Sequence, residues 1–138
     1  METIVVGFVD SATGHAAVAA AIAEARRRGA RLSVVHSMRG GDHESAEEIA
    51  AAREALEQLE ERLGTEGVEY ESHQFVRDNS PAEDIVRHAE EVGAALIVVG
   101  YRRRSPTGKL LLGSDSRDVL LSAPCPVLAA PAAEPVGD

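Results

Sequence analysis

The residues best suited to chemistry lie in one stretch, Gly100-Tyr101-Arg102-Arg103-Arg104-Ser105-Pro106-Thr107-Gly108-Lys109-Leu110-Leu111-Leu112-Gly113-Ser114. It concentrates guanidinium groups, which can grip phosphate oxygens, and it ends on Gly113-Ser114, a pair suited to opening a helix. The first backbone N–H groups of a helix have no intrahelical partner and carry partial positive charge, so a phosphate suits that place. Gly113 would let backbone approach a ligand closely, and Ser114 adds a hydroxyl. The plainer reading of the same residues is a solvated charge run followed by an ordinary Gly-Ser cap. Asp10 is a second candidate, and its plain role is N-cap of the helix that follows it. The five histidines (15, 36, 43, 73 and 88) show no metal-ligand spacing. His36 ends a buried strand and reads as a hydrogen-bonded core histidine. Cys125, between two prolines, reads as packing.

The elements that must position these residues follow from periodicity. Thr3 to Val9 (T-I-V-V-G-F-V) and Ala94 to Gly100 (A-A-L-I-V-V-G) are short apolar runs, the pattern of strands buried on both faces. Arg31 to His36 is a further strand, Val68 to Val76 an alternating one suited to an edge, and Val127 to Ala130 the last. Helical patterns run from Thr13 to Arg28, with Asp10-Ser11 before it and Gly29 after it, and from Glu44 to Leu63. A third begins at Pro81 with Ser80 as N-cap and Glu83 in its first turn, and a short fourth opens at Gly113-Ser114. Met38 to His43 and Tyr101 to Leu112 are read as loops.

Strands alternating with helices predict a single-domain, open, twisted parallel five-stranded sheet with helices on both faces. Centring the two most apolar strands and putting the alternating one at an edge gives order 3-2-1-4-5. Ligands of such sheets bind at the carboxyl ends of strands where the order reverses, here between strands 1 and 4. The domain is expected over residues 1–131, with 132–138 as a disordered tail.

Several motifs together resemble the universal stress protein family. They are Ile4-Val5-Val6-Gly7-x-Val9-Asp10, Ser80-Pro81-Ala82-x-x-Ile85, Arg104-Ser105-Pro106-x-Gly108-Lys109-Leu110-x-x-Gly113-Ser114 and Ala123-Pro124-Cys125-Pro126-Val127-Leu128. ATP-binding members carry Gly, two residues, Gly, nine residues, Gly, then Ser or Thr. Gly100, Gly113 and Ser114 match that spacing, and Arg103 replaces the second glycine. The resemblance implies a Rossmann-like fold of the adenine nucleotide alpha hydrolase type. It implies a regulatory module in stress response that binds ATP, ADP or AMP, with Mg²⁺ brought by the nucleotide. Val9 and Asp10 would flank adenine and ribose, and Ser37 would sit near the base. Gly100 would begin the phosphate loop, with Arg102 and Arg103 beside it, and Gly113, Ser114 and Ser116 would hold phosphates. It also implies a homodimer paired through the C-terminal strand. Asp115 departs from the family by placing a carboxylate in the first helical turn.

The whole-chain properties bound these readings. The chain has 138 residues and a net charge of −9, from 14 basic and 23 acidic residues. Such a surface repels phosphate backbones, so nucleic acid is not an expected partner. The single cysteine excludes an internal disulfide framework. No apolar run is long enough to span a bilayer and no signal sequence is apparent, so no membrane partner is expected and the protein is read as cytoplasmic. Gly108-Lys109 is followed by Leu110, which excludes a P-loop NTPase. The first strand leads to F-V-D-S-A-T-G rather than Gly-x-Gly-x-x-Gly, which argues against a dinucleotide dehydrogenase. The alternatives to a nucleotide-binding module are a nucleotide-free dimeric interaction protein of the same fold and a slow ATP hydrolase.

Overall fold

The computed structural model describes residues 1–38, 44–76, 79–104 and 109–132. Residues 39–43 of one expected loop, 105–108 of the other and 133–138 of the expected tail lie outside the described residues. The elements run β1 (Thr3–Gly7), α1 (Ala12–Arg28), β2 (Arg31–Met38), α2 (Ala46–Thr65), β3 (Tyr70–Val76), α3 (Pro81–Val92), β4 (Leu96–Arg104), β5 (Lys109–Leu111), α4 (Ser114–Ser122) and β6 (Val127–Pro131).

Five strands form a parallel sheet in the order β3-β2-β1-β4-β6. This is the expected 3-2-1-4-5, with β6 as the fifth strand of the sequence reading. The apolar strands β1 and β4 lie side by side, Ile4 opposite Leu96 and Val6 opposite Val98. Each face of the sheet carries its own core. Ile4, Val6, Leu32 and Val34 pack under Val18, Ile22, Leu56, Leu59 and Leu63 from α1 and α2. Val5, Val35, Ile97 and Val99 pack under Ile85 and Ala89 of α3 and Val119 of α4.

Three local readings are revised. Tyr101 to Leu112 is not a plain loop, because β4 continues to Arg104 and pairs with antiparallel β5, with Arg102 opposite Leu111. The cap of α1 is Ser11, whose Oγ accepts from the Gly14 N–H at 3.3 Å, and not Asp10. Ala132, assigned to the tail, is buried, and its N–H bonds the Tyr101 carbonyl at 2.8 Å. At α3, Ser80 and Glu83 form a reciprocal capping box with Pro81 in the first turn, as their spacing predicts.

Candidate functional site

Where β1 and β4 diverge at their carboxyl ends, a cleft of about 320 Å³ opens between the start of α1, the start of α3 and the start of α4. Its volume falls in the range of small-molecule sites, roughly 300–1,000 Å³. Two glycines bring its walls together. A Cβ on Gly100 would stand 2.1 Å from the Thr13 carbonyl oxygen, and one on Gly14 would stand 1.8 Å from the Val9 carbonyl oxygen. Only glycine allows the end of β4 and the β1–α1 turn to approach this closely.

The third wall is the N-terminus of α4. Gly113 is its N-cap in extended backbone, and among the described residues no side chain caps the helix. The Arg117 N–H bonds back to the Gly113 carbonyl at 3.0 Å, which closes the first turn. The amides of Ser114, Asp115 and Ser116 precede it, where an α-helix offers no partner, and all three residues line the cleft. Ser116 Oγ donates to the Gly100 carbonyl at 3.2 Å, tying the first turn of α4 to the end of β4. A Cβ on Gly113 would meet no described atom within 4 Å, so a side chain could be added there without a clash.

Six of the nine sequence-predicted site residues line this cleft: Val9, Ser37, Gly100, Gly113, Ser114 and Ser116. Asp10 stands next to the lining residue Val9, exposed, with its Oδ1 2.8 Å from His15 Nε2. Arg102 is exposed on the β4 extension, outside the cleft lining. The Arg103 backbone belongs to β4, and its side chain lies outside the described residues. Ser37 Oγ donates to Asp84 Oδ2 at 2.5 Å, and Asn79 Nδ2 donates to Asp84 Oδ1 at 3.3 Å. Asp84 is wholly buried, so Ser37 serves a buried carboxylate at the margin of the cleft. His36 is only half paired. Its Nδ1 lies 2.7 Å from the Phe8 carbonyl and must carry the proton, while its buried Nε2 makes no hydrogen bond among the described residues.

Sequence reasoning missed Gly7, Thr13, Gly14, Pro81, Ile85 and Val99 as lining residues. Gly14 had a usable signal, since a glycine in the first turn of a helix wastes helix propensity unless something passes close by. One proximity among the histidines lies beyond what spacing along the chain can show. No spacing in the chain suggested a metal, yet Glu71, His73 and His88 meet on the β3–α3 side with one ligand atom each within 4.8 Å of the others.

An open, doubly wound α/β domain with a cleft at its switch point and a bare helix N-terminus beside it is the class that these observations define. The sequence model of the Universal stress protein family matches residues 1–131, and the chain belongs to that family. A universal stress protein of Mycolicibacterium smegmatis is 38% identical over 126 residues, covering 91% of this chain and 95% of the relative. A solved universal stress protein from Archaeoglobus fulgidus is 43% identical with a TM-score of 0.81, covering 94% of this chain and 98% of that one. Another structure from that organism, in complex with dAMP, is 37% identical with a TM-score of 0.74 over the same shares of the two chains.

Proposed function

We propose that this protein binds an adenine nucleotide, ATP or ADP, in the switch-point cleft and acts as a regulatory module of the stress response in the cytoplasm. The observation that carries the reading is the convergence of Gly100 and the uncapped N-terminus of α4 on one cleft, with open space at Gly113. The dAMP complex of a relative supports an adenine nucleotide as the ligand class. Phosphates would take the amides of Ser114 and its neighbours, using the helix dipole. Val9 and Asp10 would flank base and ribose, and Ser37 would border the base. Arg102 and Arg103 would offer charge from the β4 extension, and Mg²⁺ would arrive with the nucleotide. The functional unit in this reading is a homodimer paired through β6.

A nucleotide-free interaction module is the second reading, and Asp115 favours it. Its carboxylate already stands in the first turn of α4, where it competes with a phosphate for the same dipole. Heat-denaturing the purified protein and assaying the supernatant for nucleotide, followed by calorimetry with ATP, ADP and AMP, separates the two. Binding in the micromolar range, about −8 kcal/mol, is the expected outcome. No heat and no thermal shift at millimolar nucleotide, with and without Mg²⁺, would give the interaction module the lead.

A further inference from the structure

Away from the nucleotide cleft, the edge strand β3 and helix α3 enclose a second group of polar side chains. Alternation along β3 puts Glu71, His73 and Phe75 on one face, and α3 lays His88 over that face. The His73 and His88 rings lie 4.6 Å apart, centroid to centroid, and His73 stacks on Phe75 at 5.8 Å. Glu71 Oε1 is 3.7 Å from His73 Nε2 and accepts from Ser33 Oγ at 3.0 Å. The same Ser33 hydroxyl lies 2.6 Å from His88 Nε2.

We propose that Glu71, His73 and His88 bind a transition-metal dication of the Zn²⁺ class, at a site independent of the nucleotide. Two imidazoles and one carboxylate form a three-ligand set that leaves a coordination position for water. Ligands about 2.0–2.1 Å from a tetrahedral ion stand roughly 3.4 Å from one another. The ligand atoms, all within 4.8 Å of one another, reach that spacing through side-chain adjustments on the order of 1 Å. Imidazole nitrogen selects Zn²⁺, Co²⁺ or Ni²⁺ over Mg²⁺ and Ca²⁺, which demand oxygen.

Two features fit a ligating role better than a merely structural one. His73 Nε2 is shielded from solvent and makes no hydrogen bond among the described residues, an unusual state for a buried nitrogen that a metal bond would relieve. Ser33, fully buried, holds Glu71 and His88 in register as an outer partner does around a metal.

The test uses the full chain, stripped with a chelator and free of nucleotide, titrated with ZnCl₂ by calorimetry and followed by thermal melting. Wild type should bind one Zn²⁺ per chain and melt higher, since a ligand of the folded state stabilises it by mass action. Losing an outer partner of a metal site costs roughly 10–100-fold in affinity, so loss of a ligand in His73→Gln should weaken binding at least about tenfold. CoCl₂ should give a visible absorption band that His73→Gln abolishes. His73 is only partly buried, so this variant tests the site even if His88→Gln fails to fold. Zn²⁺ binding to His73→Gln within about twofold of wild type would overturn the proposal, as would an equal thermal shift with MgCl₂ or no saturable binding at all.

Discussion

At the residue scale the decisive positions are Gly113 and Asp115, because they change the site without changing the core. A side chain at Gly113 meets no described atom within 4 Å, and its backbone is ordinary extended chain. Gly113→Val should therefore fold and melt like wild type while losing nucleotide binding, since the branched side chain would stand at the helix N-terminus proposed to take the phosphates. Calorimetry beside a melting curve checks both halves, and a variant that binds like wild type moves the phosphate site elsewhere. Asp115→Asn should act in the opposite sense. Removing the carboxylate from the first turn frees the dipole for phosphate, a gain of about 1 kcal/mol or roughly fivefold in affinity. It also removes a favourable helix–charge interaction, so the same variant should melt slightly lower. The affinity gain should shrink as salt rises. Cys125 gives a third expectation. Burial pushes its thiol above the ordinary value of 9.0, so its thiolate is scarce at neutral pH. Alkylation of the native protein should be slow at about pH 7 and still accelerating above about pH 9, and a rate that levels off near pH 8 would contradict this. The glycine spacing pointed to the α4 terminus from sequence alone. Asp84 was illegible, because an Asp in a first helical turn reads as dipole complement, and only packing shows it buried with Ser37 and Asn79.

At the element scale, the cleft exists because three chain segments approach more closely than side chains permit. Gly100→Ala would drive a Cβ into the Thr13 carbonyl, a backbone atom that cannot rotate away. Overpacking of this kind costs about 1–3 kcal/mol, and α1 must shift from the end of β4 to relieve it. Thermal or urea unfolding should register that loss, together with weakened nucleotide binding. A Gly100→Ala variant of unchanged stability would show that the approach is not tight in solution. The elements themselves were largely legible. Apolar runs marked β1 and β4, the polar alternation of β3 marked an edge, and Ser80-Pro81 with Glu83 marked the start of α3. The β4–β5 hairpin was not, because Arg102 to Arg104 has neither alternation nor apolar content, and its pairing partner lies across a Pro- and Gly-containing segment. The Glu71–His73–His88 cluster was hidden for a different reason. Glu71 and His73 share a strand face, but His88 reaches them only through the packing of α3 on that face, which no spacing in the chain encodes.

At the scale of the whole molecule, β6 is the strand that calls for cover. Among the described strands it pairs with β4 alone, which leaves its other side as a sheet edge. The Ala132 N–H and the Pro126 carbonyl both bond toward β4. Backbone polarity alternates along a strand, so Leu128 and Ala130 also turn their backbone groups to β4, whereas Val127, Ala129 and Pro131 present theirs outward. Pro131 has no N–H to offer, which ends any further pairing at that point. The proposed homodimer would pair Val127 and Ala129 with their copies about a two-fold axis, an isologous contact. Ala129→Pro removes an outward donor while leaving the bonds to β4 in place. Light scattering at tens of micromolar should then find wild type as a dimer and Ala129→Pro as a monomer, with circular dichroism unchanged. A wild type that scatters as monomer would sink the assembly, and an Ala129→Pro dimer would place the interface on another surface.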